Sequence, residues 1–108
     1  MEITLLGLAL PEVLKQLKSI LIRQGFIVKT MPTADPVLIA YKEGRWLRSP
    51  SQIVLEIKCE NNNMTRINIT AIVEKKKNSH HAEEILEENF FSKLNNVFNK
   101  VIQKPYGI

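Results

Sequence analysis

A chain of 108 residues that is 44% hydrophobic and 24% charged has the size and composition of one globular domain, which excludes an intrinsically disordered polypeptide. The single cysteine excludes an internal disulfide, and nothing approaches the ~20 consecutive apolar residues of a membrane-spanning helix. The net charge of +4 has no basic tail behind it, so it permits an anionic partner without demanding one.

The first strand candidate runs from Ile3 to Leu8, with Gly7 inside it as a candidate bulge that would switch the buried parity. Pro11 suits the first turn of a helix, where its missing N–H costs nothing. Val13, Leu14, Leu17, Ile20 and Leu21 recur at three- and four-residue intervals opposite Glu12, Lys15, Gln16, Lys18 and Ser19. That spacing predicts an amphipathic helix with one buried stripe, ended by Gly25 as a left-handed cap. Glu2 and Pro11 also break the pattern of a secretory leader. The chain therefore reads as soluble and cytoplasmic.

Phe26 to Thr30 is a second strand, and Pro32, Asp35 and Pro36 make the turn after it. Val37 to Lys42 is a third strand, and Arg45 to Ser51 is either its continuation or a loop. The clearest stretch follows. Ile53, Leu55, Ile57 and Cys59 alternate with Val54, Glu56, Lys58 and Glu60, and Ile67, Ile69, Ala71 and Val73 alternate with Arg66, Asn68, Thr70 and Ile72. Period-two alternation on both sides of Asn61-Asn62-Asn63 predicts a half-buried antiparallel hairpin. After Lys75-Lys76-Lys77, Ser79 or Asn78 can cap a long helix whose early turns carry Glu83 and Glu84. Its stripe is Leu86, Phe90, Leu94, Val97, Phe98 and Val101, widened by Ile85, Phe91 and Ile102, and Pro105 and Gly107 stop it.

The order β-α-β-β-β-β-α predicts an α+β domain spanning 1–108. Its five-stranded antiparallel sheet would run 1-5-4-3-2, with two helices on one face. This element order resembles the β-α-β(4)-α arrangement of the TATA-box-binding-protein-like and helix-grip group. It also resembles small domains of bacterial outer-membrane assembly lipoproteins. The resemblance spans nearly the whole chain as an order of elements, and its helix-grip side implies that a small apolar ligand could sit between the C-terminal helix and the sheet.

No residue set forms a catalytic or cofactor motif. His80, Glu84 and Glu87 could share a helical face as metal ligands, but adjacent histidines diverge and the H-E-x-x-H spacing is missing, which favours a polar helix start. Cys59 shares the parity of Ile53, Leu55 and Ile57, which favours a packed thiol over a nucleophile. The expectation is a protein without catalysis, metal or cofactor.

Two surfaces remain. Arg45, Trp46 and Arg48, with Lys42, Lys58 and Arg66 near them, could hold phosphates and stack a base, although the sheet face lacks the aromatics that nucleic-acid-binding sheets use. The alternative is that Trp46 and Leu47 plug the core's edge. On the sheet face away from the helices, parity places Val54 and Ile72, with Leu38 and Ala40 beside them, as a candidate interaction face. The expected function is a small binding or protein-interaction domain, with a protein partner or homodimer docked there. Nucleic-acid binding is the alternative.

Overall fold

The computed structural model describes residues 1–31, 33–44, 50–61, 64–73, 79–98 and 101–103. The elements in chain order are β1 (Glu2–Leu6), α1 (Leu10–Arg23), β2 (Ile27–Met31), β3 (Val37–Lys42), β4 (Ser51–Asn61), β5 (Met64–Val73), α2 (Ser79–Val97) and β6 (Val101–Gln103). The sheet contains the expected antiparallel order 1-5-4-3-2, and β6 extends it beyond β1.

Several points differ from the sequence reading. Gly7 is not a bulge: it leaves β1 at φ +79°, in the left-handed region glycine favours, so Ile3 and Leu5 keep one parity and are both buried. Val101 to Gln103 leave the helix and pair with β1 at Leu5, Thr4 and Ile3. The β-branched Val101 and Ile102 fit a strand better than a fraying helix end. Ile85 and Val97, expected in the α2 stripe, are exposed.

One face of the sheet carries the core. Ile3 and Leu5 of β1, Leu38 and Ala40 of β3, Ile53, Leu55 and Ile57 of β4, and Ile67 and Ile69 of β5 are buried in one cluster. Val13, Leu17, Ile20 and Leu21 of α1 pack into it, as do Phe90 and Leu94 of α2 and Phe98 just beyond. The helices thus cover the same face, joined to it by the stripes that their spacing predicts. Pro11 stands in the first turn of α1, and Gly25 turns the chain after it at φ +89°.

The edge of β5 is closed by side chains. β1 pairs with β5 only from Met64 to Asn68, and the Met1 carbonyl accepts the Ile69 N–H at 2.7 Å. Beyond that, Glu87 Oε2 accepts the Ala71 N–H at 3.2 Å and Glu83 Oε2 accepts the Val73 N–H at 2.9 Å. Glu87 Oε1 also lies 3.4 Å from the Met1 ammonium, which donates to the Ile69 carbonyl at 2.9 Å. Glu83 and Glu87 stand four residues apart on the side of α2 that carries Phe90 and Leu94, so packing of the helix aims both carboxylates at the strand. Glu83→Ala is expected to cost about 1–2 kcal/mol, because a charged acceptor is lost from a part-buried donor. Hydrogen exchange should quicken more at the Val73 amide than at Ile69, whose N–H keeps the Met1 carbonyl. Unchanged exchange at Val73 would show that the carboxylate does not close this edge.

Candidate interaction face

Register decides what the uncovered face presents. Directly opposed residues on antiparallel neighbours point to the same side. Leu38 opposes Leu55 and Ala40 opposes Ile53, so both join the helix-covered side and are fully buried. This corrects the parity assigned to β3: Leu38 is core, and Val37, Ile39 and Tyr41 take the open face in its place. Val54 and Ile72 do lie on the open face, Val54 half-buried and Ile72 exposed.

The face is then a lattice of cross-strand rows. Ile27, Tyr41, Gln52 and Ile72 form one row across β2, β3, β4 and β5. Lys29, Ile39, Val54 and Thr70 form the next, and Met31, Val37, Glu56 and Asn68 the third. Apolar side chains run diagonally across the first two rows, through Ile27, Tyr41, Ile39, Val54 and Ile72, with Lys29, Gln52 and Thr70 set among them, and reach Met31 and Val37 in the third. Ile27 is 62% and Met31 47% exposed; it is their place on one face with Ile39, Tyr41 and Ile72, not the exposure itself, that marks a candidate surface. Sequence reasoning missed Ile27, Met31, Ile39 and Tyr41 here. The exposed edge strand carries the first two, and the slip in β3 parity hid the others.

Polar groups ring the far end of the patch. Asn68 Nδ2 donates to Glu56 Oε1 at 3.4 Å. Arg66 opposes Lys58, and its guanidinium pairs with Glu2 at 3.1 Å and with Glu60 at 3.3 Å. A cavity of about 330 Å³ opens there between Asp35, Val37, Glu56, Lys58, Arg66 and Asn68. Of the basic residues expected to support nucleic-acid contact, Lys58 and Arg66 stand opposite each other on the open face and Lys42 does not join them. Lys42 turns to the helix side, where its Nζ donates to the Gln24 carbonyl at 2.7 Å and stands 5.1 Å from the Phe26 ring centre. Arg66 is held between two carboxylates. Arg45, Trp46 and Arg48 lie outside the described residues.

The remaining candidates have ordinary surroundings. Cys59 keeps the core parity but is exposed, which corrects the expectation of a packed thiol. Glu87 accepts the Ala71 N–H at the β5 edge, Glu84 is exposed, and the His80 side chain lies outside the described residues. Among the described residues no three His, Cys, Asp or Glu side chains converge as metal ligands. Between α2 and the sheet, Phe90 and Leu94 are fully buried. A solvent-open cavity of about 280 Å³ lies at the end of this seam, lined by Leu6, Leu8, Glu12, Gln16, Val97 and Phe98 among others. No helix among the described residues is long and apolar enough to cross a membrane. Compared with known proteins, the chain matches no family model, no curated protein and no solved structure.

Proposed function

We propose that this chain is a non-catalytic protein-interaction domain whose working surface is the uncovered sheet face, with a second copy as its simplest occupant. The observation that carries the reading is the group of Ile27, Met31, Ile39, Tyr41, Val54 and Ile72 on one face of the sheet, with Lys29 and Gln52 among them and Glu56, Lys58 and Arg66 at one end. An apolar centre with a polar rim is the usual anatomy of an interface core. Two such faces stacked about 10 Å apart would bury their apolar rows against each other. A closed twofold pair is the commonest arrangement of small soluble oligomers.

Light scattering tests this on the wild type and on Ile72→Lys. Ile72 is 40% exposed, so a lysine there leaves the fold intact, which circular dichroism checks. The wild type should show the mass of a dimer at micromolar concentration and the variant that of a monomer. A wild type that stays monomeric at high micromolar concentration overturns the second copy as the occupant of this face.

A further inference from the structure

Two of the sheet's boundaries are treated differently. The β5 edge beyond β1 is closed by Glu83 and Glu87, whereas β2 ends the sheet on the other side. The direction of the β2 backbone groups follows from one bond. Ile57 donates its N–H to the Pro36 carbonyl at 3.0 Å, so odd-numbered β4 residues turn their backbone groups toward β3. Backbone groups alternate in direction along a strand, so Leu38 and Ala40 bond to β4, and Val37, Ile39 and Tyr41 bond to β2. Their partners are Met31, Lys29 and Ile27. The N–H and C=O of Val28 and Thr30 therefore point out of the sheet, and among the described residues nothing bonds to them. Phe26, the next residue of that parity, sends its N–H to the Leu21 carbonyl at the end of α1, at 3.1 Å.

Such an edge is a template for an added strand. A second copy fits it poorly. Pairing Val28 with the copy's Thr30, and Thr30 with its Val28, sets Lys29 against Lys29, and like charges directly opposed repel. Centring the pair on Val28 puts Thr30 opposite Phe26, whose N–H is already used. Centring it on Thr30 leaves Val28 beyond the end of the copy's β2, which stops at Met31. Lysine on an exposed edge is a common guard against self-pairing. The same charge favours a strand that brings a carboxylate.

We propose that the outer edge of β2 receives an extended segment of a partner protein bearing apolar, acidic and apolar side chains at alternate positions. The acidic side chain stands opposite Lys29, and the apolar ones stand opposite Ile27 and Met31, both exposed on the same side of the sheet. Four backbone bonds to Val28 and Thr30 supply the attachment, and the charge sets register and selectivity. This inference shares Ile27 and Met31 with the open-face patch but rests on the outward backbone groups of Val28 and Thr30, so Ile72→Lys separates it from the dimer.

The test titrates isotope-labelled protein with a capped peptide of core Val-Thr-Glu-Thr-Val, and with the same peptide carrying Lys at its centre, followed by amide chemical shifts. Saturable shifts should centre on Val28 and Thr30, with the Lys peptide roughly three- to tenfold weaker. Lys29→Glu should reverse that preference, Thr30→Pro should abolish the shifts by removing an outward N–H, and Ile72→Lys should change nothing. Shifts centred on Ile39 and Ile72, no shift at millimolar peptide, or a preference that Lys29→Glu does not reverse would each overturn the proposal. Concentration-dependent protection of the Val28 and Thr30 amides without peptide would overturn it in favour of a second copy.

Discussion

Phe90→Ala is expected to lower the free energy of unfolding by about 3–5 kcal/mol. The side chain is fully buried, and it stands on the face of α2 that meets the hairpin, with Leu94 after it and Phe98 beyond. Truncation removes a large apolar ring from water-free surroundings and leaves a cavity that sheet and helix cannot both close. Against a total of roughly 5–15 kcal/mol for a domain of this kind, the loss would leave it marginal. Denaturant unfolding reads this as a large fall in midpoint at nearly constant slope. Ile85→Ala on the same helix is the control: its side chain is exposed, and the change should stay within about 0.5 kcal/mol. A loss below about 1 kcal/mol for Phe90→Ala would mean that α2 does not close the core.

The parts of the fold that were legible in the sequence are those where only one pattern fits. β4 and β5 alternate strictly, so a shift of one residue would expose Leu55, Ile57, Ile67 and Ile69 together, and their register is fixed by burial. The stripe of α1 is equally unambiguous. β3 is different, because Val37, Leu38, Ile39, Ala40 and Tyr41 are apolar at both parities. Nothing local chooses its inner face; pairing with β4 does, and the candidate site inherited the error. Val101 and Ile102 continue the helical spacing of α2, yet a vacant edge of β1 outweighs that local pattern. Glu83 reads as a partner of the helix dipole and Glu87 as part of a polar helix start, and their role at the β5 edge becomes visible only once Phe90 and Leu94 fix the rotation of the helix. The backbone directions at Val28 and Thr30 depend on registers that no sequence pattern states.

Leu38→Lys should unfold the protein, while Ile39→Lys should leave it folded. Leu38 is fully buried opposite Leu55, and no carboxylate belongs to the buried cluster around it. A lysine there must bury an unpaired charge or pull β3 away from β4, and either outcome costs more than about 4 kcal/mol. Ile39 opposes Val54 on the uncovered side and is only half-buried, so its replacement keeps the amine in water at a loss of about 1–2 kcal/mol in cross-strand packing. The Ile39→Lys variant should also be monomeric, because the charge falls at the centre of the apolar rows. Thermal unfolding and light scattering on the two variants separate these effects. A folded Leu38→Lys beside an unfolded Ile39→Lys would put the opposite face of β3 inward. Two folded variants would remove β3 from the core, and a dimeric Ile39→Lys would move any self-association off the open face.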